Sequence, residues 1–160
     1  MDARGIMRVL VISDSHGNYA HAFKAHQQAG PVDQIVHLGD GCEDARLMEE
    51  VLAVPVHRVA GNCDMDRRVP ADLTLEFGAC RILVTHGYRQ QVKSGLKQLI
   101  DQGTKVGASV VLYGHTHQAA VESAQGMLLV NPGALKEGLP GSYAIVTVDG
   151  ATARAEIFPL

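Results

Sequence analysis

The sequence lacks an excess of basic residues, and it also lacks any long apolar run. Its 160 residues contain 14 Lys and Arg against 17 Asp and Glu, so the formal net charge is −3. This balance provides no basic field that could hold a nucleic-acid backbone, and we do not expect a nucleic-acid partner. No apolar stretch approaches the roughly 20 residues that span a bilayer, and the N-terminus lacks the features of a signal peptide. A membrane partner is therefore not expected either.

Cysteine is scarce, and its spacing argues against two common uses. The three cysteines, Cys42, Cys63 and Cys80, are odd in number and form no C-x-x-C pair. This pattern argues against a disulfide framework and against a thiolate zinc site. It favours a cytoplasmic location, with Cys42 and Cys80 as small core residues.

The chain length limits the number of domains. Because the 160 residues contain no linker, repeat or low-complexity tract, the sequence predicts one domain over residues 1–160. Met7 stands directly before the first predicted strand, so we expect residues 1–6 to be either a dispensable leader or the product of an upstream start. The sequence leaves open whether the protein forms a homo-oligomer.

Strand-like and helix-like segments alternate in the first part of the chain. The predicted strands are RVLVIS (8–13), QIVHLGD (34–40) and VHRVAGN (56–62), and the predicted helices cover 19–30 and 43–53. This βαβαβ order implies parallel strands with right-handed crossovers.

The second part of the chain predicts a different mixture of elements. A hairpin over 73–77 and 80–86 is followed by a helix near 92–103 and a strand over 108–117. Short strands come last, and the final two are predicted to be joined by a two-residue turn at Asp149-Gly150. An α/β fold follows, in which two sheets pack face to face with helices outside.

Metal-competent side chains follow five of the predicted strands at the point where each strand ends. They lie in the segments Asp14-Ser15-His16, Gly39-Asp40, Gly61-Asn62, His86-Gly87 and Gly114-His115-Thr116-His117. Ligands bind at the carboxyl ends of parallel strands in open α/β sheets, so we expect these groups to meet in one crevice. Alternation along an extended chain also places Asp14 beside His16, and His115 beside His117, so that each pair could share one ion.

The candidate metal ligands are all oxygen or nitrogen donors. They are Asp14, His16, Asp40, Asn62, His86, His115 and His117. This set suits borderline-hard divalent ions, and we expect Mn²⁺, with Fe²⁺, Zn²⁺ or Ni²⁺ as alternatives. The donors outnumber what one ion takes from side chains while leaving room for water, so two ions that share a bridging carboxylate explain the set. Two such ions, two aspartates and one hydroxide would leave one surplus positive charge, which would attract a phosphate ester.

These motifs, in this order, resemble those of the calcineurin-like metallophosphoesterases. They are D-x-H at 14–16, G-D at 39–40, G-N-x-D at 61–64, H-G at 86–87 and G-H-T-H at 114–117, and the likeness extends through Asn131-Pro132-Gly133. The small size and the G-N-C-D sequence resemble a compact prokaryotic phosphodiesterase branch related to the retromer scaffold subunit. The resemblance implies a four-layer α/β/β/α sandwich of two mixed sheets with helices outside. It also implies hydrolysis of a small phosphate diester by a hydroxide that bridges two metal ions.

The resemblance further implies how the ligands divide between the two ions. One ion would be surrounded by Asp14, His16, Asp40 and His117, and the other by Asp40, Asn62, His86 and His115. Asp40 would therefore be the bridge.

Cys63 departs from the family pattern. Many members of the superfamily carry histidine after the asparagine, where it is thought to protonate the leaving group. A thiol, with an ordinary pKa of about 8.5, is a poorer proton donor near neutrality. We therefore expect a weak or absent general acid at Cys63, while Asn62 would also hold a nonbridging oxygen of the substrate.

Several other residues have ordinary structural interpretations. Asn18 is a candidate substrate ligand, although a turn or a helix N-cap is its commoner role. Tyr88 and Arg89 could touch substrate, but a surface loop is the expected position. The remaining histidines are expected at the surface or half-buried: His21, His26, His37 and His57.

Two other functions stay open. The chain could be a metal-poor scaffold of the same fold that binds other proteins. It could also be a nuclease, but a nuclease would be expected to have a basic track that the composition does not show.

Overall fold

The computed structural model describes residues 5–160, which form ten strands and three helices. The strands are Ile6–Ile12 (β1), Gln34–His37 (β2), Val56–Arg58 (β3), Asp72–Phe77 (β4), Cys80–Thr85 (β5), Val110–Leu112 (β6), Ala120–Ala124 (β7), Met127–Asn131 (β8), Ser142–Asp149 (β9) and Thr152–Pro159 (β10). The helices are Tyr19–Ala29 (α1), Cys42–Val51 (α2) and Lys97–Val106 (α3).

The strands form two mixed sheets of five strands each. The first sheet has the order β10-β9-β1-β2-β3, in which β1, β2 and β3 are parallel as predicted. The second sheet has the order β4-β5-β6-β8-β7, in which β5, β6 and β8 are parallel. Antiparallel strands complete both sheets. The predicted fold class is therefore confirmed.

Alternating side chains of β1 show how the layers pack. Val9 and Val11 belong to a buried cluster with Val84 and Leu112 of the second sheet, so this face lies between the two sheets. Leu10 and its neighbours on the other face pack instead against α1 and α2. Such alternation is what an extended strand produces when both of its faces are covered.

The outer face of the second sheet is covered by α3. Leu99 of this helix is fully buried in a cluster with Leu83 and Val111. Helix, sheet, sheet and helix therefore form four layers, as the family resemblance implied.

The third helix begins and ends later than predicted. The helix predicted near 92–103 ends at Gly103, whereas Gly103 lies inside α3 and Gly107 caps the helix with φ of 70°. A Cβ at Gly103 would lie 2.8 Å from Sδ of Met127 and 2.9 Å from Cγ2 of Val111. Gly103 is therefore explained by close packing of the helix on the sheet, which a sequence pattern cannot distinguish from a stop signal.

The last hairpin is shifted by one residue from its prediction. Asp149 still pairs with Thr152, so the turn residues are Gly150 and Ala151. Gly150 has φ of 61°, and Ala151 has no positive φ, so the turn is not type I′, which needs positive φ at both central residues.

The N-terminal prediction is only partly testable. Met7 does not precede β1 but lies within it, and Ile6 pairs with Asp149 of β9. Of the predicted leader, residues 1–4 lie outside the described residues, and Gly5 and Ile6 are described. Within residues 5–160, no helix has the length and apolarity that crossing a bilayer requires.

Candidate metal centre

The predicted ligands leave their strands in an unusual backbone conformation. Five of the seven have a left-handed φ: Asp14 at 54°, His16 at 48°, Asp40 at 54°, His115 at 70° and His117 at 63°. Positive φ costs a non-glycine residue about 1–3 kcal/mol, so the surroundings must hold these side chains in place. The chain turns there, which explains why β2 and β6 end earlier than predicted.

The first set of donors consists of Asp14, His16 and His117, which we call the Asp14 group. Nε2 of His117 lies 3.1 Å from Oδ1 of Asp14, and Nε2 of His16 lies 3.7 Å from the same oxygen. Asp14 is fully buried, whereas the two histidines are partly open to solvent. All three side chains could contact one ion.

The second set consists of His86, His115 and Asn62, which we call the His86 group. Nε2 of His86 lies 3.1 Å from Oδ1 of Asn62 and 3.2 Å from Nδ1 of His115. His115 and His117 therefore belong to different groups. The expectation from extended-chain alternation that they share an ion is wrong, because both residues lie in a turn.

Asp40 lies between the two groups. Its Oδ2 is 3.7 Å from Nε2 of His16 and 3.3 Å from Nε2 of His86. Burial opposes ionisation of Asp40, but the hydrogen bonds from His86 and from the backbone N–H of Cys63 hold its pKa well below the ordinary value. The carboxylate is therefore negatively charged in the position expected for a bridge.

The contacts of His86 test whether a cation fits here. Its Nδ1 lies 2.8 Å from the carbonyl oxygen of Leu38, so Nδ1 carries a proton and Nε2 faces Asp40, Asn62 and His115. Burial alone would lower the pKa of His86, but the Asp40 carboxylate raises it above the ordinary value. The acceptor atoms around Nε2 of His86 therefore favour a proton on that nitrogen. A divalent ion that displaces this proton would satisfy the same atoms, so the residues fit a metal.

A buried hydrogen-bond chain positions the loop that carries Asp14 and His16. His37 accepts a hydrogen bond on Nδ1 from the Gly39 N–H, so its Nε2 donates to Oγ of Ser15 at 2.8 Å. Ser15 donates in turn to Asp44 at 2.6 Å. Burial lowers the pKa of His37 to about 4, so the imidazole is neutral. His37 was expected at the surface or half-buried, and that expectation is wrong.

Asp64 is a supporting residue that the sequence analysis did not single out. Its two oxygens accept four backbone N–H bonds of 2.7–3.0 Å, from Asp40, Gly41, Cys42 and Gly61. Although burial opposes it, these donors hold the pKa of Asp64 below the ordinary value. The carboxylate thereby ties the Asp40 loop to the Asn62 loop. The sequence could have indicated this residue, because Asp64 is the final aspartate of the G-N-x-D motif.

Gly61 lies in the same contact between loops. A Cβ at this position would lie 2.1 Å from Oδ1 of Asp40, closer than any side chain can approach. Glycine is therefore required for Asp40 to reach its position.

Asn131 supports the loop that carries His115 and His117. Its buried side-chain amide donates to the carbonyl oxygen of Gly114 at 3.2 Å and to Oγ1 of Thr116 at 3.0 Å. Its Oδ1 accepts from the Gly133 N–H. The N-P-G motif is thus placed against the G-H-T-H turn.

Cys63 and Asn18 are two candidate site residues to which the structure gives different roles. The exposed Cys63 forms a possible ligand group with His16 and Asp40, although no sulfur ligand was predicted. Burial and the nearby Asp40 charge raise the pKa of its thiol. Asn18 accepts a hydrogen bond from the His21 N–H and caps α1, which is the commoner role considered for it. Cys42 and Cys80 are buried, as expected.

Two cavities flank the centre. The larger, of about 560 Å³, begins at Asn62 and His86 and extends along residues 64–72 and 85–90. The smaller, of about 400 Å³, begins at His16, Asp40 and Cys63 and extends along residues 41–44. Each cavity therefore borders two of the predicted ligands.

Comparison with known proteins identifies relatives over most of the chain. The chain is 37% identical over 158 residues to a probable metallophosphoesterase of Bacillus subtilis, which covers 92% of this chain and 89% of the relative. It is 26% identical over 160 residues to a phosphodiesterase of Methanocaldococcus jannaschii, covering 89% and 93% of the two chains.

Solved structures show the same fold. A predicted phosphoesterase from Streptococcus pneumoniae superposes with a TM-score of 0.82 at 26% identity, covering 96% of this chain and 90% of that chain. Vacuolar Protein Sorting 29 from Cryptosporidium parvum has a TM-score of 0.77 at 17% identity, covering 97% and 98%, a likeness of fold alone. The sequence model of the family described as "Calcineurin-like phosphoesterase superfamily domain" matches residues 7–151. With its two mixed sheets and its clustered Asp and His side chains, the chain belongs to the calcineurin-like phosphoesterase superfamily.

Proposed function

We propose that this chain is a phosphoric diester hydrolase that holds two divalent ions, Mn²⁺ being the expected metal and Fe²⁺, Zn²⁺ or Ni²⁺ the alternatives. The observation that carries the proposal is the position of Asp40, whose carboxylate lies between the Asp14 group and the His86 group. A single ionised carboxylate within reach of two donor sets suits a pair of ions. The free cysteines support a cytoplasmic location.

The chain's own residues would prepare the site for hydrolysis. Bound divalent ions would lower the pKa of a shared water and neutralise phosphate oxygens. Asp40 offers carboxylate oxygens to both groups, and His86 offers Nε2 because Leu38 keeps the proton on Nδ1. The exposed side chain of Asn62 stands at the mouth of the larger cavity, where its amide could donate to a nonbridging phosphate oxygen.

Charge and the Cys63 thiol favour diesters over monoesters. The site would carry one surplus positive charge, which a monoanionic diester neutralises and a dianionic monoester exceeds. The Cys63 thiol, whose ordinary pKa is about 8.5, is a poor proton donor to a leaving group near neutrality. We therefore propose that the enzyme prefers diesters whose leaving groups are stable as anions. The relative from Methanocaldococcus jannaschii, itself named a phosphodiesterase, supports the choice of diesters as the substrate class.

The proposal is tested by removing and restoring the metal. Protein stripped with a chelator should lose hydrolysis of bis(p-nitrophenyl) phosphate and recover it with Mn²⁺. Bound metal should be counted in parallel by elemental analysis. Full activity in protein that stays metal-free would contradict the mechanism.

Substitutions of Cys63 test the missing acid. Cys63→Ser should retain most of the activity on bis(p-nitrophenyl) phosphate. Cys63→His should raise turnover most for esters with poor leaving groups, by up to about 10²–10⁴-fold if the imidazole reaches the leaving oxygen. If Cys63→Ser abolishes activity while metal content and fold are unchanged, the thiol has a direct role.

A second candidate function is a scaffold that binds other proteins. The observation that favours it is the likeness of fold to Vacuolar Protein Sorting 29. The two functions are distinguished by the same metal experiment. A scaffold would hydrolyse none of the esters even after metal is restored, whereas the full set of donors around Asp40 favours the enzyme.

A further inference from the structure

The two cavities beside the metal centre differ in the charges that face them. The smaller cavity is lined by Glu43, Asp44 and three further aspartates, and no Lys or Arg lines it. The larger cavity is lined by Arg67 and Arg89 as well as by three aspartates. An anionic substituent of a substrate would therefore be repelled from the smaller cavity.

The carboxylates of the larger cavity already have donors. Asp64 accepts backbone N–H groups with both oxygens. Asp66 forms an ion pair with Arg68 at 2.9 Å, which lowers its pKa to about 2. Asp72 accepts a hydrogen bond from Thr85 at 2.5 Å. None of these carboxylates contacts Arg67 or Arg89.

The two arginines of the larger cavity are free to bind a ligand. Among residues 5–160, neither Arg67 nor Arg89 has a hydrogen-bond or ion-pair partner, and both are exposed. A guanidinium binds phosphate oxygens through paired N–H donors. The larger cavity thus offers two unpaired cations on the side of Asn62 and His86.

The same cavity exposes a ring and a flexible apolar side chain. Tyr88 is 56% exposed, and its ring packs at 80° to that of His115 with centroids 5.5 Å apart. Met65 is 90% exposed on the opposite loop. Exposed side chains of these types suit contact with a planar ring. At about 560 Å³ the cavity is large enough for one small ligand group.

We propose that the larger cavity binds a nucleotide substituent of the diester, with its ring against Tyr88 and a second phosphate on Arg67 and Arg89. Preferred substrates are then diesters in which one ester group is a nucleoside that carries a further phosphate. The inference rests on the proposed phosphodiesterase function, because the reacting phosphate must lie at the ligands that border this cavity.

The test uses two esters with the same leaving group. One is thymidine 5′-(p-nitrophenyl phosphate), and the other is the same molecule with an added 3′-phosphate. Release of p-nitrophenolate by the Mn²⁺-loaded protein gives kcat/KM for each. We expect a ratio of about tenfold in favour of the phosphorylated ester, as one charged hydrogen-bonded contact provides. The ratio should fall towards one in Arg67→Ala and in Arg89→Ala.

Arg154→Ala is the matched control, because it removes one exposed positive charge from β10, outside both cavities. It should keep the wild-type ratio. A binding measurement provides a readout without turnover: thymidine 3′,5′-bisphosphate should bind the loaded protein more tightly than thymidine 5′-phosphate, and Arg89→Ala should remove the difference in Kd.

The outcomes separate this inference from the proposed function. If both esters are hydrolysed at equal kcat/KM and both nucleotides bind equally, the cavity assignment is wrong and the phosphodiesterase proposal stands. If Arg154→Ala lowers the ratio as much as Arg89→Ala, general charge and not the cavity sets the preference, and the assignment is also wrong. If loaded protein hydrolyses bis(p-nitrophenyl) phosphate but neither thymidine ester, the cavity assignment is wrong and the phosphodiesterase proposal stands. If it hydrolyses none of the three, the phosphodiesterase proposal fails and the inference fails with it.

Discussion

The loops of the two sheets hold their ligands by different chemistry. In the first-sheet loops (residues 13–18, 38–42 and 59–66), the carboxylates of the buried Asp44 and the half-buried Asp64 accept backbone N–H groups and hold the turns around Asp14 and Asp40. In the second-sheet loops (residues 86–91 and 113–118), the side-chain amide of Asn131 supports the G-H-T-H turn. Charged groups therefore hold the first-sheet loops, and a neutral amide holds the second-sheet loops. We expect the first-sheet loops to respond more strongly to loss of a supporting group.

The largest effect should follow a change at Asp40, which contacts both the Asp14 group and the His86 group. Asp40→Asn removes the charge between the Asp14 group and the His86 group, and kcat/KM for bis(p-nitrophenyl) phosphate should fall by about 100-fold or more. His16→Ala removes a donor of only the Asp14 group and should cost less. Metal content and kcat/KM should be measured for both variants. Equal losses would remove the reason to regard Asp40 as the bridge.

Loss of the Asp64 carboxylate should destabilise the first-sheet loops. An amide has one acceptor oxygen for four N–H donors, so Asp64→Asn should lower the free energy of unfolding by about 3 kcal/mol and metal affinity by about 10- to 100-fold. Urea denaturation and calorimetric metal titration measure the two effects. Asp66→Asn is the control, since solvent screens its ion pair with the exposed Arg68 and the free energy of unfolding should change little.

The second-sheet loops should respond more weakly. Asn131→Ala removes the donors to Gly114 and Thr116 and should cost about 2 kcal/mol in unfolding free energy, with about a tenfold loss of metal affinity. Asn18→Ala provides the comparison, because it removes a helix cap worth about 1 kcal/mol without touching that turn. If both variants bind metal equally well, Asn131 supports the fold and not the ligands.

The smallest effect should be a dependence of stability on pH that comes from the buried His37. The folded-state pKa of His37 is lowered to about 4, so below its unfolded value of 6.5 the unfolded chain binds the additional proton. The contribution of neutral His37 to the free energy of unfolding is complete above pH 6.5 and is lost as the pH falls towards 4. Between pH 7 and 5.5, metal-free protein should lose about 1 kcal/mol from this source. His37→Gln should lack that loss, and an unchanged pH dependence in this variant would contradict the assignment.

Much of the architecture could be predicted because its cause is local. The run 8–13 and the short connection between 73–77 and 80–86 carry their preferences in neighbouring residues. Accordingly β1, α1 and the β4–β5 hairpin lie close to their predicted positions. The end of α3 could not be predicted, because Gly103 is explained by Met127 and Val111, which are remote in sequence. Local patterns contain no information about such a contact.

The order of motifs along the sequence determined which side chains follow the strand ends and which family the chain resembles. Only the tertiary structure decided how those side chains are grouped, because left-handed turns at Asp14, Asp40 and His115 override the alternation of an extended chain. It also decided the roles of His37, Asp64 and Asn131. Their partners come from other loops, and buried polar groups are stable only when the fold brings such partners within hydrogen-bond distance.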